Sequence, residues 1–248
     1  MAGHSKWSQI KRQKGVADAK RGQLFTKIGR EIQAAARRSG LNPNDNPSLR
    51  LALARAKQAN MPKGTIERAL ARAAGAGGGE DWEEIRYEAY GPGGVALLID
   101  ALTDNRNRTA ADVRAALTKY NGNLGATGSV AWAFEPCGIV VVDLAEGVDA
   151  DNVALEAIDA GAADVTIDET LVEVRTALAD LEAVRHGMSG AGVAIASAET
   201  VMRPLNQIAL EEADARTLLR LVEQLEELDD IQSVHSNADL PESVLTEL

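Results

Sequence analysis

The sequence has little cysteine, few aromatic side chains and no long apolar run. Cys137 is its one cysteine, which excludes a disulfide framework and a thiolate metal site. Aromatic residues make up 3 % of the chain, so the predicted core consists of Leu, Ile, Val and Ala. No apolar stretch approaches the roughly 20 residues of a membrane helix, and the polar, basic start predicts no signal peptide. These features favour a cytoplasmic protein.

Acidic residues are scarce in the first quarter of the chain and abundant afterwards. Residues 1–75 contain 16 Lys/Arg and 4 Asp/Glu, whereas residues 76–248 contain 10 Lys/Arg and 33 Asp/Glu. The first part therefore attracts polyanions, and the second part repels phosphate groups. This asymmetry predicts nucleic-acid binding that is confined to the N-terminal quarter.

Three amphipathic helices are predicted in the basic part. Apolar residues recur at helical spacing over 17–39, at Phe25, Ile28, Ile32 and Ala35. Asn46 followed by Pro47 is typical of a helix N-terminus and predicts a second helix. A third helix is expected to begin near Pro62. The glycine-rich residues 75–79 predict a linker and a domain boundary.

The acidic part alternates between strand and helix patterns. Strands are predicted at 84–90, 95–102, 130–134, 139–144, 164–167, 171–174, 193–198, 201–210 and 231–235, and helices at 109–120, 151–160, 177–186 and 211–228. Residues 136–199 have the β-α-β-β-α-β order of a ferredoxin-like domain. The segments on either side, 80–135 and 200–248, complete a second such domain. The predicted fold class is α+β, with an N-terminal helical domain (1–75) followed by two ferredoxin-like α/β domains, one inserted in the other.

The candidate nucleic-acid-binding residues lie in a basic arm and in the first helix. The arm contributes Lys6, Trp7, Lys11, Arg12 and Lys14, and the helix contributes Lys20, Arg21, Lys27, Arg30, Arg37 and Arg38. Only Asp18 and Glu31 are acidic in that helix, so ion pairs within the helix cannot neutralise so many cations. The alternatives are a solvated helix face and, for Trp7, packing against the helices instead of stacking on a base.

A secondary contact is expected at Arg106 and Arg108. These two cations lie between a predicted strand and a predicted helix, on what we interpret as an exposed loop. They could hold a backbone phosphate or a partner protein. The alternative is a structural turn in which Asn107 or Thr109 caps the helix.

No set of residues predicts catalysis, a metal or a cofactor. The histidines His4, His186 and His235 are scattered, and Cys137 has no base near it in the sequence. The glycine-rich residues 122–128 run from a helix into a strand, whereas phosphate loops run from a strand into a helix. The acidic runs 80–84 and 223–230 lack calcium-loop spacing and are interpreted as solvated faces. We therefore expect a protein that is not an enzyme and has no small-molecule substrate.

Short segments along the whole chain match the motifs of one protein family. They are 1–7 (MAGHSKW), 18–22 (DAKRG), 25–27 (FTK), 59–63 (ANMPK), 66–69 (IERA), 87–88 (YE), 90–95 (YGPGGV), 102–109 (LTDNRNRT), 122–125 (GNLG) and 128–130 (GSV). On these segments the chain resembles the YebC family. It differs at Gly64-Thr65, where the family pattern is a polar pair of the Asp-Asn type.

The resemblance implies a cytoplasmic three-domain protein, described as a probable transcriptional regulator that binds DNA. Mitochondrial relatives act as translational activators, and bacterial members are linked to ribosomes stalled on proline-rich stretches. The family has no assigned catalytic residues. Two functions therefore stay open: a transcriptional regulator that binds DNA, and a ribosome-associated translation factor that binds ribosomal RNA and relieves stalled translation. A protein-interaction scaffold is a third hypothesis.

Overall fold

The structure, a computed structural model, describes residues 18–75, 82–145 and 147–245. The described chain forms two compact units. The first unit contains the described residues up to Ala131, Leu210–Ser236 and residues 240–245, and the second contains Trp132–Ala209 and Asn237–Asp239. The predicted arm and residues 76–79 of the predicted linker lie outside the described residues.

The described residues form eighteen α-helices and β-strands. In chain order they are α1 (Asp18–Ser39), α2 (Pro47–Gln58), α3 (Lys63–Ala73), β1 (Glu83–Tyr90), β2 (Ala96–Thr103), α4 (Arg106–Lys119), β3 (Asn123–Leu124), β4 (Phe134–Asp143), α5 (Ala150–Asp159), β5 (Asp164–Ile167), β6 (Leu171–Thr176), α6 (Leu181–Gly190), β7 (Ser197–Pro204), β8 (Ile208–Ala209), α7 (Glu212–Glu226), β9 (Ile231–Ser236), β10 (Ala238–Asp239) and α8 (Glu242–Leu245).

Of these elements, ten lie in the first unit (α1 to α4, β1 to β3, α7, β9 and α8) and eight in the second.

The three predicted helices of the basic region are confirmed as α1, α2 and α3. Both α2 and α3 pack against α1, and the shared core is aliphatic, with Ile28, Ile32 and Leu49 almost completely buried. The apolar stripe of α1 thus forms the core, as its helical spacing predicts.

The turn between α1 and α2 is fixed by one buried side chain, Asn46. Its side-chain oxygen accepts a hydrogen bond from the backbone N–H of Leu49 at 3.0 Å, and its amide donates to the carbonyls of Ala35 and Gly40 at 2.8 Å each. Gly40 has a positive φ of 90°, which ends α1. The predicted cap at Asn46 with Pro47 behind it is therefore confirmed.

The first unit contains a four-stranded sheet in the order β3-β1-β2-β9, in which all neighbours are antiparallel. The central strand β2 is buried along most of its length. Helix α4 contacts β2, and helix α7 contacts β9 and α4. Leu117 of α4 and Leu221 of α7 are fully buried, so both helices contribute to the core of this unit.

The second unit contains a sheet in the order β5-β6-β4-β7, again with antiparallel neighbours. With α5 and α6 between the strands, this is the ferredoxin-like arrangement predicted for this part of the chain. Its core is rich in valine, including Val140, Val172, Val174 and Val184. The fold class is confirmed: a helical N-terminal region is followed by two antiparallel four-stranded sheets with helices.

Two strand predictions in this region are wrong. The predicted strands 193–198 and 201–210 are replaced by one strand, β7, which pairs with β4 from Val141↔Ser197 to Phe134↔Pro204, and by the short strand β8. Strand β7 lies at the edge of its sheet, and its residues are mostly exposed or half-buried. An edge strand of this kind has no clear apolar alternation, which is why the sequence divides it incorrectly.

The predicted strand 130–134 is also wrong, and the reason is a buried carboxylate. Glu88 on β1 is 7 % exposed and accepts hydrogen bonds from the backbone N–H groups of Gly128, Val130 and Ala131 at 2.5, 2.7 and 2.8 Å. These N–H groups are therefore not available to a strand ladder. Burial raises the pKa of Glu88, but the three backbone hydrogen bonds outweigh it and lower the pKa below its ordinary value.

We expect the Glu88→Gln variant to lose about 2–3 kcal/mol of unfolding free energy, because the amide accepts less strongly and brings its own donors toward three buried N–H groups. Urea denaturation measures this loss. The matched control is Glu84→Gln on the same strand, where the side chain is exposed, and it should change the unfolding free energy by less than about 0.5 kcal/mol. Equal losses in the two variants would contradict this account of residues 128–131.

A polar cluster crosses the middle of the first sheet. Arg86 on β1 lies opposite Asp100 on β2, and its Nε donates to Asp100 Oδ1 at 2.6 Å. On β9, the other neighbour of β2 in the sheet, His235 Nε2 lies 3.5 Å from Asp100 Oδ2. Burial raises the pKa of Asp100, but the hydrogen bonds from His235 and Arg86 outweigh it and lower the pKa to about 2.

This lowered pKa predicts acid sensitivity. The unfolded chain binds a proton on Asp100 near pH 4, whereas the folded chain does so only near pH 2, so falling pH in that window favours unfolding. We expect the wild type to lose about 2 kcal/mol between pH 4 and pH 2 through this group. When urea denaturation is repeated at each pH, the Asp100→Asn variant should lack this contribution to the slope of unfolding free energy against pH. Identical slopes in the two proteins would contradict the prediction.

Candidate nucleic-acid interface

A buried carboxylate, Asp230, joins the helical region to the first sheet. It lies between α7 and β9 and is 6 % exposed. Its Oδ1 accepts from Arg30 Nη1 of α1 at 2.8 Å, and its Oδ2 accepts from Arg108 Nη2 and Thr109 Oγ1 of α4 at 2.9 and 2.7 Å. The Thr103 hydroxyl at the end of β2 lies 3.3 Å from the same oxygen. One carboxylate thus connects four segments.

The surroundings of Asp230 favour its charged form. Burial raises the pKa of Asp230, but the Thr109 hydroxyl and the Arg108 guanidinium outweigh it and lower the pKa. Both side chains belong to the first turn of α4, where the positive end of the helix dipole also stabilises an anion. The sequence interpretation of 223–230 as a solvated acidic face is therefore wrong at Asp230.

The C-terminal end of α7 binds two side chains of α1. Lys27 Nζ donates to the carbonyl oxygen of Glu226 at 2.6 Å, and Gln23 Nε2 donates to that of Glu227 at 3.1 Å. A cation at this end of a helix is favourable because the last carbonyls carry partial negative charge. Arg30 lies next to them, with its guanidinium carbon 4.9 Å from the ring centre of Trp82.

These contacts change the role of the predicted basic face of α1. Arg30 is internally paired, and its side chain is 17 % exposed, while Lys27 is half-buried. Arg38 pairs with Glu84 at 3.0 Å, but both side chains are more than half exposed. Such an exposed pair costs little to open, so Arg38 remains accessible to an external anion.

The other predicted residues divide into two groups. The first group lies outside the described part of the structure and consists of Lys6, Trp7, Lys11, Arg12, Lys14 and the side chain of Lys20. Arg21 is exposed and Arg37 is half-buried, and both lie on α1. The binding role of all these residues stays a prediction.

The secondary contact residues do not lie on a loop. Arg106 and Arg108 belong to the first turn of α4, which is capped by Asn105, whose side chain accepts from the backbone N–H of Arg108 at 3.1 Å. The predicted caps, Asn107 and Thr109, are wrong. Arg106 pairs with Glu83 at 3.1 Å on the surface. Arg108 pairs with Asp104 at 2.6 Å as well as with Asp230, which raises its pKa.

Sequence reasoning missed a group of cations on α2 and α3. They are Arg50, Lys57, Arg68 and Arg72, all exposed. Within the described residues, none of the four forms an ion pair with a carboxylate. The pattern was visible in the sequence, because α2 contains no acidic residue and α3 contains only Glu67. The most accessible positive charge of the helical region thus lies beyond α1.

A groove of about 890 Å³ lies within the first unit, between the helical region and the first sheet. We call it the junction groove. The helical side contributes Gln33, Arg68 and Arg72, and the other side contributes Trp82, Asp112 and Asp229. Arg30 and Arg108 also line the groove, so it contains both guanidinium groups and carboxylates.

The described residues offer neither a metal centre nor a membrane-spanning helix. They contain no group of three or more His, Cys, Asp or Glu side chains arranged to hold a metal ion. No helix among them has the length and apolar character needed to cross a membrane.

We expect the Asp230→Asn variant to lose about 3 kcal/mol of unfolding free energy, because it leaves Arg30 and Arg108 without their buried counter-charge. Hydrogen exchange should also become faster at the start of α4 and in α1. The matched control is Asp229→Asn, since Asp229 is about half exposed and lies 3.8 Å from Arg30. A loss in the control as large as that in Asp230→Asn would contradict the assigned role of Asp230.

Comparison with known proteins agrees with this architecture. The profile of the TACO1/YebC protein N-terminal domain matches residues 5–76, and that of the TACO1/YebC second and third domain matches residues 82–238. A protein of Methylococcus capsulatus is 51 % identical over 251 residues, covering 100 % of both chains. One of Moorella thermoacetica is 47 % identical over 250 residues, covering 100 % of this chain and 99 % of the relative. Both are named probable transcriptional regulatory proteins.

A solved structure is also similar over most of its length. The crystal structure of a conserved hypothetical protein from Aquifex aeolicus has a TM-score of 0.82 and 43 % sequence identity, covering 91 % of this chain and 93 % of that chain. The two profiles together span nearly the whole sequence, and the relatives match from end to end. The chain belongs to the TACO1/YebC family.

Proposed function

We propose that the protein is a regulator of gene expression that binds DNA through its basic N-terminal region. The observation that carries the proposal is the set of exposed cations on α2 and α3 that have no carboxylate partner among the described residues. Cations of this kind neutralise backbone phosphates and release the counterions condensed on nucleic acid. The names of the relatives in Methylococcus capsulatus and Moorella thermoacetica support a regulatory role.

The internal ion pairs of α1 determine which residues contribute. Arg30 is held by Asp230, so it acts in positioning the helical region and not in phosphate contact. Arg50 and Lys57 of α2, which have no carboxylate partner among the described residues, take its place. The basic arm is expected to add further contacts when it meets a polyanion.

The second candidate is a ribosome-associated translation factor that binds ribosomal RNA. The mixed charge of the junction groove favours it, because carboxylates close to the cations disfavour the two dense phosphate backbones of a duplex. A folded RNA offers unpaired segments that avoid this repulsion. The acidic second unit would then face solvent or ribosomal proteins.

The proposed function requires no catalysis. A regulator acts through binding, and the relatives are named for regulation and not for a reaction. The proposal includes no metal, cofactor or small-molecule substrate, and it places the protein in the cytoplasm, where both candidate nucleic acids occur in bacteria.

Binding is expected to depend strongly on salt. If about six phosphates are neutralised, the slope of log affinity against log salt is about −5 on duplex DNA. The Arg50→Gln/Lys57→Gln variant should reduce the magnitude of that slope by about 2, because it removes two phosphate contacts. Fluorescence anisotropy with a labelled DNA duplex and with a ribosomal RNA fragment, at matched salt, measures both affinities and slopes.

The matched control removes two cations from the acidic part of the chain. Arg175→Gln/Arg185→Gln changes the net charge equally, but both arginines pair with carboxylates of the second unit. This control should leave the slope unchanged. An absence of binding to both nucleic acids, or a slope near zero, would overturn the proposal. Binding to RNA at salt concentrations that abolish DNA binding would favour the second candidate.

A further inference from the structure

We propose that the junction groove binds an unpaired nucleotide, with its phosphate on Arg68 and Arg72 and its base toward the acidic wall. This inference rests on the proposed function, since it specifies the form of nucleic acid that the basic region accepts. The volume of about 890 Å³ is within the range of sites that hold ligands of this size.

The cationic wall is built from one helix face. Arg68 and Arg72 are four residues apart on α3, so their side chains are neighbours on the helix surface. Arg68 is oriented by two contacts, from Nε to the carbonyl oxygen of Gly64 at 3.1 Å and from Nη2 to Thr65 Oγ1 at 3.0 Å. These contacts leave Arg68 Nη1 free to donate to a phosphate oxygen. Two adjacent guanidinium groups are well suited to one phosphate.

The opposite wall selects against a duplex. The carboxylates of Asp112 and Asp229 line the same groove and are exposed, and Asp229 lies 3.8 Å from Arg30. A duplex placed on Arg68 and Arg72 would bring a second phosphate backbone toward these carboxylates. A single strand has one backbone, and its free base can turn toward the acidic wall.

The same carboxylates favour bases that carry an exocyclic amine. Carboxylate oxygens only accept hydrogen bonds, and the amine of cytosine is a donor that a carboxylate can bind. Uracil has no such amine. The ring of Trp82 also lines the groove, with the Arg30 guanidinium carbon 4.9 Å from its centre, and adds aromatic surface of the type on which bases stack. The groove therefore offers a phosphate contact, a base contact and an aromatic wall.

The test compares affinities for three labelled probes with the full chain. The probes are cytidine and uridine oligoribonucleotides of about ten nucleotides and a DNA duplex, all at one salt concentration. We expect the cytidine strand to bind more tightly than both the duplex and the uridine strand. A deoxycytidine strand distinguishes RNA from melted DNA as the source of the unpaired nucleotide.

Two charge-matched variants locate the contact. In Arg68→Gln/Arg72→Gln, the ratio of single-strand to duplex affinity should fall about 10-fold, whereas Arg50→Gln/Lys57→Gln should weaken both affinities and leave the ratio unchanged. Asp112→Asn should reduce the preference for cytidine over uridine. Circular dichroism confirms that each variant is folded, which is expected because all these side chains are exposed.

The outcomes separate this inference from the function on which it rests. If the wild type binds no nucleic acid, the proposed function fails. If it binds duplex and single strands equally, or if both double variants change the ratio to the same extent, the groove is not a nucleotide site although nucleic-acid binding stands. A selective loss in Arg68→Gln/Arg72→Gln supports the inference.

Discussion

The arrangement of the first unit depends on one buried charge, the carboxylate of Asp230. Arg30 from α1, Arg108 and Thr109 from α4 and Thr103 from β2 all meet it. A buried carboxylate is tolerated only when several donors replace the water that it has lost. This requirement holds the helical region in a defined position against the first sheet, and the position creates the junction groove.

The same interaction determines which cations are available to a ligand. Basic residues that look equivalent in the sequence have different roles once the chain is folded. Arg30 is a structural residue, because its charge is used inside the protein. Arg68 and Arg72 are exposed and face a groove. The net charge of the first 75 residues therefore indicates where a polyanion approaches, but the ion pairs determine which side chains it meets.

Sequence reasoning predicted local features better than distant ones. The stripe of α1 and the cap at Asn46 depend on neighbouring residues, so spacing and residue type were sufficient. The backbone N–H groups of residues 128–131 bind Glu88, which lies about 40 residues earlier, instead of forming the predicted strand. No local sequence pattern reveals such a contact. In the same way, the absence of acidic residues within α1 suggested free cations, but the carboxylate that neutralises Arg30 lies 200 residues further along the chain.

The central claim is that nucleic acid binds the cations of α2 and α3 while the contacts of Asp230 stay intact. Hydrogen exchange with mass spectrometry, on the full chain with and without saturating nucleic acid, measures this most directly. The account predicts slower exchange in residues 47–73 and unchanged exchange around residues 226–231. Slower exchange confined to the acidic second unit, or faster exchange around Asp230, would contradict it.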